Sequence, residues 1–172
     1  MNKFQNIFLT GFMGVGKSTI GRKLCKKLKL DFVDLDDIIE EKAGQSISEI
    51  FSQNGESDFR KFESKCLKEV ATRRGQVIAL GGGALLENEN RSVVNASGTL
   101  VYLKASIDVL IDRVRHKAHL RPLLKDKKPE ELRTYMIDLF RMRENIYESA
   151  SLIIMTDDLT QDQVVEKVLA GL

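Results

Sequence analysis

A glycine-rich segment near the start of this chain of 172 residues restricts its fold more than any other feature. Residues 11–19 read Gly-Phe-Met-Gly-Val-Gly-Lys-Ser-Thr, which fits the pattern G-x-x-x-x-G-K-[ST]. The apolar run Ile7-Phe8-Leu9 comes directly before it, and an apolar stripe at helical spacing follows over residues 20–28. A loop between a strand and a helix N-terminus brings backbone N–H groups and the helix dipole onto phosphate oxygens. The segment therefore predicts a P-loop that binds a nucleoside triphosphate, and the matching flanks disfavour a glycine-rich turn that merely starts a helix.

The side chains of this loop predict phosphoryl-transfer chemistry. Lys17 would reach the β- and γ-phosphates, and the Ser18 hydroxyl would ligate Mg²⁺. The residues expected to hold the triphosphate are Gly14, Val15, Gly16, Lys17, Ser18 and Thr19.

Short apolar runs alternate with helical patterns along the rest of the chain. Strands are predicted at 7–10, 31–34, 77–80, 99–103 and 152–155, and several are almost continuously apolar, as in a parallel sheet covered on both faces. Ser46 and Glu49 form a capping-box pattern that opens a short helix ending near Gly55, and Pro129 fits the first turn of a long helix. The alternation predicts an α/β sandwich around a parallel sheet, and the length fits one domain over residues 1–172.

Composition excludes several other classes of protein. The net charge of +2 and the lack of aromatic residues along a basic stripe argue against nucleic acid as a partner. No apolar run approaches the length of a membrane span, and the first strand begins too early to leave room for a signal peptide. Cys25 and Cys66 lie far apart and are expected to be reduced thiols. We therefore expect a cytoplasmic monomer.

Acidic residues follow the second predicted strand, at the edge where α/β sheets bind ligands. Alternation of side chains would point Asp34 and Asp36 into the same cleft. Asp34 could hold a Mg²⁺-bound water, and Asp36 could orient or deprotonate an attacking hydroxyl. Alternatively, these acids cap a helix over 38–41, and Asp37 could do only that.

Three consecutive glycines, Gly81, Gly82 and Gly83, follow the apolar run 77–80. Three glycines in series cost backbone entropy, so a special backbone conformation or the close approach of a ligand should offset that cost. A plain flexible turn is the alternative.

Two arginines outside the P-loop could bind an anion. Arg60 and Arg143 carry planar guanidinium groups that suit a carboxylate or a phosphate. However, Glu56 and Glu63 flank Arg60 at helical spacing, and Glu144 is adjacent to Arg143. Spacing alone therefore favours surface ion pairs for both arginines.

A basic segment over residues 115–128 fits neither helical nor strand periodicity. In a domain with a P-loop, it is interpreted as a lid that closes over the phosphates and brings Arg121 to them. A solvated charged loop is the alternative, and the two histidines, His116 and His119, are too few for a metal site.

Taken together, the order and spacing of these elements resemble the shikimate kinase family over nearly the whole chain. The similar segments lie at residues 32–36, 46–51, 55–60, 81–84, 121–124 and 143–147, in addition to the P-loop. The resemblance implies transfer of the γ-phosphate of ATP to the 3-hydroxyl of shikimate, a step of aromatic amino acid biosynthesis. It also implies a P-loop NTPase fold, namely a nucleoside-monophosphate-kinase-like three-layer sandwich with a five-stranded parallel sheet of order 2-3-1-4-5.

The resemblance also implies roles for individual residues. Shikimate would contact a helical region near 36–62, the glycine loop and the long helix, and the two arginines would take its carboxylate. Residues 156–160 read Thr-Asp-Asp-Leu-Thr, whereas many relatives have a basic residue there that touches adenine, so the adenine contacts stay open. The implied catalytic residues are Lys17, Asp34, Asp36 and Arg121, the implied Mg²⁺ ligands are Ser18 and Asp34, and the implied acceptor-binding residues are Asp36, Arg60, Gly81, Gly82, Gly83 and Arg143.

Two other functions stay open at this stage. A kinase of the same fold could act on a nucleoside monophosphate or on gluconate, with the arginines binding a different anion. A nucleotide-dependent switch is disfavoured because the chain has neither an N-K-x-D element nor a D-x-x-G element after the P-loop.

Overall fold

Five parallel strands form the centre of the molecule in a computed structural model that describes residues 5–115, 124 and 128–172. The strands lie in the order β2-β3-β1-β4-β5, and every neighbouring pair is parallel. The predicted fold class and strand order are confirmed. The strands are β1 (Asn6–Thr10), β2 (Asp31–Asp34), β3 (Gln76–Ala79), β4 (Gly98–Lys104) and β5 (Leu152–Met155).

Helices connect the strands, because parallel neighbours need long crossover connections. None of the helices in the described part of the chain is long and apolar enough to cross a bilayer. The helices are α1 (Lys17–Leu28), α2 (Leu35–Ala43), α3 (Ile47–Ala71), α4 (Asn88–Ser97), α5 (Ile107–Arg115), α6 (Pro129–Tyr147) and α7 (Gln161–Gly171), with a short 3₁₀ turn at Ala84–Leu86.

The apolar core lies in two layers, one on each face of the sheet. Ile7 and Leu9 of β1 pack into the layer that includes α1, α5, α6 and α7. Phe8, between them, points to the other face and packs with α2, α3 and α4. Successive residues of a strand point to opposite faces, so the continuous apolar run of β1 fills both layers.

The helix boundaries agree with the capping signals in the sequence, with one difference. The capping box of Ser46 and Glu49 opens α3, Pro129 lies in the first turn of α6, and α3 is broken at Gly55 as predicted. However, α2 begins at Leu35 rather than near residue 38, because the Asp34 side chain accepts the Asp36 N–H at 3.2 Å and caps the helix.

Candidate active site

A cavity of about 640 Å³ lies at the carboxyl ends of β1, β2 and β3, where the P-loop, the start of α2 and the glycine loop meet. Ligands bind at this edge in open α/β sheets. All the sequence-predicted site residues line the cavity except Arg121, which falls outside the described residues with most of the predicted lid. The predicted residues in the lining are Gly14, Val15, Gly16, Lys17, Ser18, Thr19, Asp34, Asp36, Arg60, Gly81, Gly82, Gly83 and Arg143.

The P-loop joins β1 directly to α1. Gly16 precedes α1 with φ 100° and no atom within 4 Å of the position a Cβ would take. A left-handed residue here turns the chain so that the first free N–H groups of α1 face the cavity. The Lys17 Nζ donates to the Gly11 carbonyl at 2.8 Å and to the Phe12 carbonyl at 3.4 Å, so the ammonium lies across the loop.

A hydroxyl and a carboxylate meet beside the P-loop. The Ser18 Oγ donates to Asp34 Oδ2 at 2.6 Å, and Asp34 Oδ1 accepts the Asp36 N–H. Asp34 therefore both caps α2 and presents an oxygen next to Ser18. Mg²⁺ prefers such oxygen ligands and is usually held by one or two carboxylates together with phosphates. The residues present fit a Mg²⁺ ion at this position.

Asp36 reaches the cavity differently from the prediction. It lies in the first turn of α2 and not in extended chain, so side-chain alternation is the wrong reason for its orientation. Burial raises the pKa of Asp36, and the charge of Asp34 raises it further, whereas Lys17 lowers it. Asp37 lies in the same turn, but its side chain is 71% exposed and beside Arg22.

Arg60 makes the ion pairs expected from its spacing, but it is not a surface residue. Its Nη1 donates to Glu63 Oε2 at 2.7 Å, and Nη2 donates to Glu56 Oε1 at 3.1 Å. The side chain is only 11% exposed and lines the cavity. The surface interpretation is wrong because the helix face that carries Arg60 packs against the glycine loop, where a Cβ on Gly83 would overlap the Arg60 guanidinium.

Arg143 is buried, contrary to its interpretation as a surface ion-pair partner. The residue is 5% exposed, and its neighbour Glu144 pairs with Lys104 instead, at 3.5 Å. Arg143 lies on the stripe of α6 that faces the sheet, between Phe140 and Tyr147. The sequence carried this signal, because residues 136, 140, 143 and 147 have the spacing of one helix face.

Glu63 is a site residue that the sequence interpretation assigned only to ion pairing. It is 1% exposed, and burial raises its pKa even though Arg60 lowers it. Its Oε1 has no hydrogen-bond partner among the described residues. The available signal was its place on the apolar stripe of α3, four residues after Phe59 and three before Cys66, where a carboxylate needs a reason to be buried.

The three glycines are required by space and not by backbone conformation. None of them has a positive φ. A Cβ on Gly81 would lie 2.8 Å from Glu63 Oε1 and 3.0 Å from Asp36 Oδ1, while Gly83 faces Arg60. The close approach predicted for this loop is thus made, in the described structure, by the chain's own charged side chains.

The fold and this cavity define a class of protein, a P-loop kinase of the nucleoside-monophosphate-kinase-like type, in which the P-loop, Asp36 and the two arginines line one cavity at the edge of the sheet. The sequence model described as shikimate kinase matches residues 13–172. Shikimate kinase from Thermodesulfovibrio yellowstonii is 42% identical over 96% of this chain and 93% of its own length. The chain belongs to the shikimate kinase family.

Solved structures agree with this assignment. Shikimate kinase from Acinetobacter baumannii in complex with shikimate has a TM-score of 0.89 and 36% identity, over 96% of this chain and 90% of that chain. Shikimate kinase from Bacteroides thetaiotaomicron also has a TM-score of 0.89, at 37% identity over 97% and 96%. The family resemblance of the sequence is confirmed, and the chain is an ATP-dependent kinase with Mg²⁺ as its cofactor.

Proposed function

We propose that this chain transfers the γ-phosphate of ATP to the 3-hydroxyl of shikimate, giving shikimate 3-phosphate and ADP. One observation carries the choice of acceptor. Two guanidinium groups from separate helices, the partly buried Arg60 of α3 and the buried Arg143 of α6, line the same cavity as Asp36 and the P-loop. A small carboxylic acid with several hydroxyls matches that set of groups.

The two arginines bind the carboxylate of the acceptor in this proposal. The Arg60 guanidinium occupies the space that a Cβ on Gly83 would need. Nη1 of Arg143 lies 3.5 Å from the position that a Cβ on Gly82 would take. The two guanidinium groups therefore approach adjacent residues of one loop. Planar N–H forks bind a carboxylate with defined geometry, so they fix how the acceptor ring lies in the cavity.

Asp36 handles the attacking hydroxyl. Its carboxylate accepts a hydrogen bond from that hydroxyl, holds the oxygen in line with the phosphate and takes the proton as the new bond forms. The raised pKa of Asp36, caused first by its burial, makes it a better proton acceptor than an exposed carboxylate.

The P-loop holds the donor. Backbone N–H groups of residues 14–19 and the Lys17 ammonium bind the phosphates, and Ser18 and Asp34 hold the metal. When bound there, Mg²⁺ would supply positive charge that offsets the negative charge of the phosphates. Arg121, which lies outside the described residues, is assigned a further positive charge on the phosphates in this proposal. Positioning and electrostatics supply most of the acceleration, because the transition state is loose.

The wider setting is proposed on the same basis. The chain acts as a single-domain cytoplasmic monomer, with the acceptor region near 36–62, and it needs neither nucleic acid nor a membrane. The net charge of +2 supports the absence of a nucleic-acid partner, and the two free cysteines, Cys25 and Cys66, support a reducing compartment.

The function is tested by ADP release in a coupled assay with shikimate, gluconate or a nucleoside monophosphate as acceptor. Turnover should depend on shikimate. In Arg60→Lys, which keeps a positive charge beside Glu63 but loses the fork, the KM for shikimate should rise at least about 30-fold, the equivalent of roughly 2 kcal/mol.

The matched control is Arg133→Lys, because Arg133 is 55% exposed and pairs with Asp108 outside the cavity. That variant should have the wild-type KM. Faster turnover of gluconate or of a nucleoside monophosphate than of shikimate would contradict the proposed acceptor. An unchanged KM in Arg60→Lys would contradict the role of Arg60.

A further inference from the structure

The last residue of α6, Tyr147, lies behind the cavity and beside two of its lining residues, Gly82 and Arg143. Its hydroxyl donates to the Gly82 carbonyl, and the phenol oxygen and Nη1 of Arg143 lie 3.7 Å and 3.5 Å from the position that a Cβ on Gly82 would take. A guanidinium can only donate and the phenol O–H is used on the carbonyl, so the phenol oxygen is left to face the Arg143 N–H groups as an acceptor. One hydroxyl therefore links α6 to the glycine loop after β3.

Packing holds the ring of Tyr147 in one place. The residue is 1% exposed, and its ring centroid lies 5.3 Å from that of Tyr102 on β4. The Tyr102 hydroxyl is buried as well, but it has no hydrogen-bond partner among the described residues. The two tyrosine rings thus pack against each other, but only the Tyr147 hydroxyl makes a hydrogen bond among the described residues.

The link matters because Arg143 is a long side chain that would otherwise sample several rotamers. Fixing a rotamer-rich side chain before a ligand arrives removes an entropic cost of binding. The same hydroxyl holds the carbonyl of Gly82, which also lines the cavity. Burial raises the pKa of Tyr147 to about 12, so its hydroxyl stays protonated and remains a donor at neutral pH.

We propose that Tyr147 is a positioning residue for acceptor binding. Its hydroxyl fixes the position of the Arg143 guanidinium relative to the Gly82 carbonyl. The inference rests on the proposed function, because it concerns the site for shikimate. It assigns a role to the last residue of the segment 143–147, beyond the arginine that begins it. The ring contributes to the core, and the hydroxyl contributes to the site.

Two single-hydroxyl deletions test the proposal. Tyr147→Phe and Tyr102→Phe each remove one hydroxyl from the same buried stack. We expect Tyr147→Phe to raise the Kd of shikimate about tenfold, measured by calorimetric titration without nucleotide, and to raise the KM for shikimate similarly. The KM for ATP should stay within about twofold, because the P-loop is untouched. Tyr102→Phe should leave all three values unchanged.

Each other outcome has a defined meaning. If Tyr147→Phe binds shikimate as tightly as Tyr102→Phe does, the inference is overturned. Equal losses for shikimate and ATP, together with a lower Tm, would show a purely structural role and overturn it too. The wild-type titration reports on the proposed function separately. Failure of the wild type to bind or turn over shikimate would remove that function, whereas normal wild-type binding with an unaffected variant removes only the role of Tyr147.

Discussion

At the scale of single residues, two carboxylates of the site are buried, and burial disfavours their ionised forms. Asp36 and Glu63 both face Gly81, and burial is the main cause of the raised pKa of each. Glu63 is compensated by its bond to Arg60, while Asp36 lies beside a second acid, Asp34. A group held in this way reduces the stability of the fold in exchange for function.

Asp36→Asn should therefore be inactive and more stable than the wild type. Loss of the base should lower kcat at least about 100-fold. Because the folded-state pKa of Asp36 is raised, its ionised form destabilises the fold above that pKa, and the asparagine variant gains stability there. The gain should shrink as the pH falls and vanish once Asp36 is protonated in both folded and unfolded chains.

Urea unfolding at pH 7.5 and near pH 4 measures this difference, with Asp37→Asn as the matched control. Asp37 also has a raised pKa, but its side chain is mostly exposed and outside the cavity lining, so kcat should be nearly unchanged. An Asp36→Asn variant that is less stable than the wild type at pH 7.5 would contradict the claim that the ionised Asp36 lowers the free energy of unfolding.

At the scale of elements, α3 is two helical segments joined at Gly55. This residue has φ 78° and ψ 174°, a backbone region that is essentially restricted to glycine. The break separates the capped segment that begins at Ile47 from the segment that carries Arg60 and Glu63. The conformation of one glycine therefore sets the direction from which Arg60 enters the cavity.

Gly55→Ala should lower the free energy of unfolding by about 2–3 kcal/mol and raise the KM for shikimate. Gly44→Ala is the comparison, because Gly44 ends α2 at φ 66° and ψ 18°, an ordinary left-handed conformation, and also has open space around it. That variant should cost about 1 kcal/mol and leave the KM unchanged. Urea unfolding and the coupled assay measure both, and equal behaviour of the two variants would contradict the role of the break.

The elements were largely predictable from the sequence, for reasons that also explain the errors. Every predicted strand end lies within one residue of the observed end, because glycines and polar or charged residues flank the short apolar runs and mark where each strand stops. The surface interpretations of Arg60 and Arg143 are wrong because spacing compares residues only within one helix. Burial of these arginines depends on which helix face packs against the sheet and the glycine loop, and that is a tertiary property.

At the scale of the whole molecule, the two arginines that are proposed to bind the acceptor come from opposite layers of the sandwich. Arg60 comes from α3, on the face that receives Phe8, and Arg143 comes from α6, on the face that receives Leu9. The central strand β1, which leads into the P-loop, separates and supports both layers. Their relative position therefore depends on one strand that is buried on both faces.

Phe8→Ala and Leu9→Ala test whether the two layers unfold as one unit, as expected for a single domain. Both side chains are fully buried, so the changes should cost about 3–5 and about 2–5 kcal/mol respectively. Because the layers share β1, each variant should show one calorimetric transition at a lower Tm, and far- and near-ultraviolet circular dichroism should follow it together. Met142→Ala, at a side chain that is 73% exposed, should leave the Tm unchanged. Two separate transitions in either core variant would mean that the acceptor arginines are carried by layers that unfold independently.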